Sequence, residues 1–166
     1  DGVQLDNCHE VSGVCSVFGA PYVYMLGNNY FYNNDGDGLD VLTFGQIITY
    51  NLTALHNGGN GALLVNQRFN TDAIAVESYG AIALYGNNIF NNNFLDGLKA
   101  LSNDDIVAYN LTANGNVNNG VSLTTNKTQP ALRSYVVRMR VKVGRKYVYK
   151  NVTVYYYVTA ANISLY

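Results

Sequence analysis

Residues 106–166 contain no Asp or Glu, and the whole 166-residue chain is short of charge, at 13% against about twice that in an average domain. Asn, Gly, Thr and fifteen Tyr fill the surface instead, a balance that suits turn-rich β structure. No run of eighteen apolar residues occurs, so nothing is offered to cross a membrane as a helix. The first residue is Asp, with no initiator Met and no signal peptide, and the chain reads as a processed product or a segment of a longer one. Only two His are present, His9 and His56, in different turns, and no Gly-x-Ser-x-Gly nucleophile signature occurs. Paired carboxylates are confined to "DGDGLD" at 35–40 and "NDD" at 103–105. The common hydrolase arrangements are therefore missing, and the reading is non-enzymatic, with no catalytic residue assigned.

What is there is repetition. Residues 26–67 align without a gap against residues 85–126, an offset of 59, with 20 identities in 42 positions. "GNNYFYNN" at 27–34 returns as "GNNIFNNN" at 86–93, and "YNLTA" at 50–54 returns at 109–113. The same offset aligns "GVQLDN" at 2–7, "GALLVN" at 61–66 and "GVSLTT" at 120–125, so the unit begins three times. "GLDVL" at 38–42 stands 23 residues before "GALLV", and "GLKAL" at 97–101 stands 23 before "GVSL", which divides 59 into 36 and 23. Apolar runs of four to six residues bounded by Gly and Asn exclude a helical repeat and predict a solenoid of strands. The hydrophobic share, 48%, is ample for one core.

One coil is predicted over residues 38–60, with strands at Leu39–Leu42 and around Ile47 and Leu52, and a turn through "HNGGN". Each strand is expected to pair in parallel with its copy one coil later. Leu5, Leu39, Leu64, Leu98 and Leu123 are expected to line the interior at matched places, with Phe31 and Phe90 inward and the pairs Asn33, Asn34 and Asn92, Asn93 stacked at a corner. The extra segments of the 36-residue coils, 8–24 and 67–83, are expected outside the stack as an extended strand or loop.

The run "GNNYFYNNDGDGLDVLTFGQIITYNLTALHNGGNGALLVN" resembles the right-handed parallel β-helix repeats of large bacterial surface and secreted proteins, over about residues 1–126. The resemblance implies an all-β fold, a short parallel β-helix of about five coils over residues 1–129; residues 130–166 depart from it and are read from their own pattern as a β-hairpin or strand extension. It implies a right-handed coil and an extracellular or cell-surface location. It carries over no catalytic residue, because members of that family include adhesins, lyases and passive stalks.

After Pro130 the repeat stops. Val137, Met139, Val141 and Val143 alternate with Arg138, Arg140 and Lys142, the period of a half-exposed strand, and "VGRK" offers a hairpin turn into a Tyr- and Val-rich strand from Tyr147 to Thr159. Residues 1–105 hold eleven acids against Arg68 and Lys99, a formal charge of −9, and residues 106–166 carry eight bases, +8. A basic tail for nucleic acid is one reading, opposed by the lack of a known motif and a net charge of −1. Charge balance inside one domain is a second. The third is that the basic end of one subunit meets the acidic end of the next, with Arg138, Arg140, Lys142, Tyr147, Tyr149, Tyr155, Tyr156 and Tyr157 as the contact residues.

Cys8 and Cys15, seven apart, suit an intraloop disulfide contributing about 2.5 kcal/mol, or two unpaired thiols. Asp35, Asp37 and Asp40 offer the oxygen donors that Ca²⁺ prefers, or form a plain solvated turn, and the second copy keeps only Asp96. No other cofactor is implied. Five Asn-x-Ser/Thr sequons occur: Asn126, Asn151 and Asn162 are the glycan candidates, while Asn51 and Asn110, at equivalent coil positions, suit turn hydrogen bonding. Tyr-rich faces fit either sugar binding or a subunit interface. The expected function is thus an extracellular structural protein assembling head to tail into a filament or surface layer. The alternatives are a carbohydrate-binding or adhesive module, then a polysaccharide-acting enzyme.

Overall fold

The computed structural model describes residues 1–7, 9–11, 14–16, 22–66, 68–69, 75–77, 79–125, 131–143, 146–158 and 163–165, with side chains at 1–7, 22–66 and 80–125. Every element among them is a strand. No helix is long and apolar enough to cross a membrane. Two compact units are present, residues 1–127 with 161–166, and residues 128–160.

In the first unit, parallel strands stack in three sheets. The first sheet runs β1 (Val3–Asp6), β6 (Leu39–Leu42), β9 (Ala62–Val65), β14 (Leu98–Ser102) and β17 (Val121–Thr125). The second runs β4 (Val23–Met25), β7 (Gly45–Tyr50), β12 (Tyr79–Tyr85), β15 (Ile106–Ala108) and β20 (Ile163–Leu165). The third runs β5 (Asn29–Tyr32), β8 (Leu52–Leu55), β13 (Asn88–Asn91) and β16 (Leu111–Thr112). The chain visits the sheets in the order first, second, third and returns to the first, which is the solenoid-like arrangement that the repeats call for. In the first sheet Val3, Leu39, Ala62, Leu98 and Val121 lie in register, at steps of 36, 23, 36 and 23.

The register explains why the period is 59 rather than 23 or 36. The five leucines expected in one inward row fall into two: Leu5, Val41, Leu64, Ala100 and Leu123 form one column, and Val3, Leu39, Ala62, Leu98 and Val121 the other. Ala62 beside Leu64 is followed by Leu98 beside Ala100, so large and small residues exchange columns from one strand to the next. The third sheet does the same, with Phe31 over Ala54 over Phe90 in one column and Asn29, Leu52, Asn88 and Leu111 in the next. A long ring over a methyl group suits a strand spacing of about 4.8 Å, since alternating large and small residues is the way stacked strands reach native packing density. Phe90, Ala54, Leu52, Ile47 and Ile82 are fully buried, and Phe31 nearly so, in a single apolar cluster.

The additional residues of the 36-residue repeats form antiparallel hairpins, β2 (His9–Val11) with β3 (Val14–Ser16) and β10 (Arg68–Phe69) with β11 (Ala75–Glu77). The segments expected wholly outside the stack are thus shorter than 8–24 and 67–83, since Val23–Met25 and Tyr79–Tyr85 belong to the second sheet. In the second unit β18 (Ala131–Val143) and β19 (Lys146–Val158) pair antiparallel from Ala131 opposite Val158 to Val143 opposite Lys146. Residues expected as one extension, 130–166, divide: β20 pairs in parallel with β15, Ile163 opposite Ile106. All three hairpins occupy one place in chain order, between a strand of the first sheet and a strand of the second.

Truncating Phe90 to Ala leaves a void over Ala54, and an expected loss of about 3–5 kcal/mol is measurable by urea denaturation. The inverse change, Ala54→Leu, overpacks the space between Phe31 and Phe90 and is expected to cost about 1–3 kcal/mol.

Candidate functional site

Where the third sheet hands the chain back to the first, backbone pairing continues through the corner: Gly2, Gly38, Gly61 and Gly97 each donate N–H to the carbonyl of Asp37, Asn60, Asp96 and Asn119. A buried corner still leaves polar groups to satisfy, and a column of carboxamides does so. Asn34, Asn57, Asn93 and Asn116 stack at steps of 23, 36 and 23, and each Nδ2 donates to the next Oδ1 at 2.8, 2.9 and 3.0 Å. The backbone N–H groups of Asn34, Asn57 and Asn93 donate to the same oxygens at 3.2, 3.1 and 2.9 Å. The remaining Nδ2 protons of Asn57, Asn93 and Asn116 go to the carbonyls of Phe31, Ala54 and Phe90. Both donors and both lone pairs of Asn57 and Asn93 are engaged, the full capacity of an amide side chain.

This column dictates glycine beside it. A Cβ on Gly38 would stand 2.5 Å from the Gly61 carbonyl and 2.8 Å from Asn57 Nδ2, and the same obstruction recurs at Gly61 and Gly97. A second column, Asp1, Asp37, Asn60, Asp96 and Asn119, follows at steps of 36, 23, 36 and 23. Asp37 N–H donates to Asp1 Oδ1 at 2.8 Å, Asn60 donates N–H and Nδ2 to Asp37 Oδ1 at 2.5 and 3.1 Å, and Asp96 N–H donates to Asn60 Oδ1 at 3.2 Å. Buried Asp96 receives Asn118 Nδ2 at 2.7 Å and both Asn119 N–H and Nδ2 at 2.9 Å, all on Oδ1. Backbone and amide donors thus hold its carboxylate, with no cationic partner among the described residues.

At the corner between the second and third sheets, Gly27, Asn51, Gly86 and Asn110 all take positive φ, as do Asn33, His56, Asn92 and Gly115 at the next. Asn tolerates this left-handed region better than most side chains, which suits Asn33, Asn51, Asn92 and Asn110 to these corners. On the outer face of the second sheet Tyr50, Tyr85 and Tyr109 stack at 5.2 and 5.4 Å between ring centroids. Tyr24 OH donates to Gln46 Oε1 at 3.1 Å, and Tyr22 packs edge-on to Tyr24.

The residues singled out in the sequence are placed as follows. Asp35 is exposed in the turn, Asp37 belongs to the second column, and Asp40 lies on the outer face of β6 within 3.5 Å of Gln4 Nε2. They do not converge: among the described residues no three His, Cys, Asp or Glu side chains group as a metal site. Cys8 lies outside the described residues; Cys15 is in β3 opposite Glu10. Asn126 and Asn162 also lie outside them, and Asn151 stands opposite Arg138 in β19. Asn51 and Asn110 are turn residues separated by Gly86: Asn51 Oδ1 accepts from Asn87 N–H, and Asn110 Nδ2 donates to the Gly86 carbonyl. In the hairpin Arg140 is opposite Tyr149, Lys142 opposite Tyr147, and Tyr155, Tyr156 and Tyr157 opposite Ser134, Arg133 and Leu132.

Each expected Asn pair splits, Asn33 and Asn92 taking the turn while Asn34 and Asn93 point into the column. Sequence reasoning missed Asn57, Asn116 and the Asp37–Asn60–Asp96–Asn119 column. The signal was the same 23-residue step that relates Gly38 to Gly61.

Burial raises the Asp40 carboxyl above its ordinary value of 3.8, and the neighbouring Asp37 and Asp6 carboxylates raise it further. An acid raised on folding binds its proton more tightly in the native state, so its charged form opposes folding. This penalty is present above the folded value and is lost as pH falls through it. Asp40→Asn is accordingly expected to raise stability at pH 7 by up to about 0.5 kcal/mol, with no gain below pH 3, in urea titrations at both pH values. Asn93→Ala removes the acceptor shared by Asn57 N–H and Nδ2 and the side-chain donor to the Ala54 carbonyl in a dry corner, and is expected to cost about 2–4 kcal/mol in the same titration, whereas Asn114→Ala stays within about 0.5 kcal/mol.

No protein-family model, no curated protein and no solved structure matches the chain.

Proposed function

We propose that the chain is an extracellular structural protein, about five coils of a closed, right-handed parallel β-helix, which stacks head to tail on copies of itself into a filament or surface layer. The direction of the Asn column is the observation that carries this reading. Every rung donates toward the next, so the first rung, Asn34, keeps an acceptor Oδ1 and the last described rung, Asn116, keeps one Nδ2 proton. The two ends are complementary to each other and not to themselves, which favours a polar, heterologous contact, the kind that builds a filament when its rotation does not close.

Two further features favour it. The strands β1, β4 and β5 stand at one edge of all three sheets, and Val3, Tyr22, Tyr24, Leu26, Tyr30 and Tyr32, in or beside them, are exposed apolar side chains. Edges with no further strand among the described residues, beside apolar side chains, suit a partner. The charge split between residues 1–105 and 106–166 would set the polarity of stacking, with Arg138, Arg140, Lys142 and the hairpin tyrosines at the contact. Cys8 with Cys15 as a disulfide, and glycans on Asn126, Asn151 and Asn162, fit export to an oxidising compartment. A second reading, carbohydrate binding, is favoured by Tyr24, whose hydroxyl is fixed by Gln46 while the residue is 51% exposed.

Electron microscopy and size exclusion at low salt are expected to show elongating particles, and Arg138→Gln, Arg140→Gln and Lys142→Gln combined to shorten them. A strictly monomeric species at high concentration and low salt rejects the assembly reading, and unchanged length in the triple variant rejects the charge contact. Binding on a glycan array that is lost in Tyr24→Ala would instead establish the second reading.

A further inference from the structure

Four Asn-Gly pairs occur, at Asn57-Gly58, Asn60-Gly61, Asn114-Gly115 and Asn119-Gly120. Asn-Gly is the dipeptide most open to self-modification, because the glycine N–H, unhindered by a side chain, attacks the Asn Cγ. The new Cγ–N bond expels Nδ2 as ammonia, and water opens the cyclic imide to aspartate or isoaspartate. The reaction needs a free nucleophile and a carboxamide able to turn toward it.

In this fold the four pairs differ on both counts. Gly58 N–H is held by the Asn34 carbonyl at 2.7 Å, and the Asn57 carboxamide is fixed at all four positions. Gly61 N–H is held by the Asp96 carbonyl at 2.9 Å, and Asn60 is bound through Nδ2 to Asp37 and through Oδ1 to Asp96 N–H. Asn119 is held on one side only, its Nδ2 on Asp96, and Gly120 N–H has no acceptor among the described residues. Asn114 is exposed, its carboxamide bonds no described residue, and Gly115 N–H likewise has no acceptor among them. Gly115, at φ 67°, sits at a turn.

We infer that Asn114 is a site of spontaneous deamidation and isoaspartate formation in the folded protein, that Asn119 is a slower one, and that the polar columns protect Asn57 and Asn60. The event is not silent. Asn114 N–H donates to Asn91 Oδ1 at 2.7 Å and its carbonyl accepts Asn92 N–H at 2.9 Å, two residues before Asn116 completes the Asn column. An isoaspartate lengthens the main chain by one methylene there and adds a negative charge, so it falls on the last described rung.

The test is peptide mapping of the full chain aged at pH 8.5 and 37 °C, folded and in urea, with aspartate and isoaspartate resolved. Folded protein is expected to convert at Asn114 first, at least roughly tenfold faster than at Asn57 or Asn60, which react only through local opening, with Asn119 between. In urea the four sites are expected to converge, and Asn114→Gln removes the earliest product from folded samples. Conversion of Asn57 or Asn60 as fast as Asn114 in folded protein, or a stable Asn114, overturns the inference. Persistence of the ranking in urea overturns the protective role of the columns.

Discussion

A carboxamide buried away from water must find two acceptors and two donors, and in this chain the corner between the third and first sheets supplies them from its own copies. Once Asn57 and Asn93 are fixed in this way, the neighbouring backbone loses its freedom too: Gly38, Gly61 and Gly97 must lack a Cβ, and the adjacent residues Asn33, His56 and Asn92 must adopt left-handed φ. The second column, where carboxylate and amide alternate from Asp37 to Asn119, repeats this logic with a charged acceptor. Hydrogen bonds contribute modest net stability each, but leaving one unmade in a dry corner is expensive, so the columns act chiefly as specification of register. A strand slipped by one residue would misplace every rung.

Apolar packing provides the second constraint and sets the longer period. The columns of amides would accept any stacked repeat. The exchange of Phe31, Ala54 and Phe90, and of Leu64 with Ala100, requires unlike neighbours to alternate. Two unequal repeats therefore form one packing unit, and the 59-residue interval is that unit written into sequence.

Much of this was legible because stacking converts spatial neighbours into fixed intervals along the chain. The 36 and 23 steps gave the parallel register of the first sheet, and alternation placed Phe31 and Phe90 inward. Three things were obscured. The two inward columns were merged because the eye follows Leu, whereas the volume rule lets Ala62 stand in a column with Leu39 and Leu98. Asn57 and Asn116 were hidden in turns where Asn is common for conformational reasons. The strand Ile163–Leu165 escaped notice because the long hairpin before it shifts the interval to 57, although Ile163 and Leu165 alternate as Ile106 and Ala108 do. Of the carboxylates read as a metal turn, Asp35 is exposed, Asp37 is taken up by the donors of Asn60, and Asp40 lies on the outer face of β6, an arrangement that spacing along the chain does not reveal.

The spacing between the first and second sheets varies while the other two corners hold steady. From Val3 to Val23 is 20 residues, from Leu39 to Ile47 only 8, and from Val121 to Ile163 it is 42, whereas the return from Ile47 to Ala62 and from Ile82 to Leu98 takes 15 and 16. Among the described residues, the two amide columns and the asparagines of positive φ lie at the constant corners. The variable corner is where the repeat takes up inserted sequence without changing its register, so a peptide grafted there is expected to leave the amide columns in step.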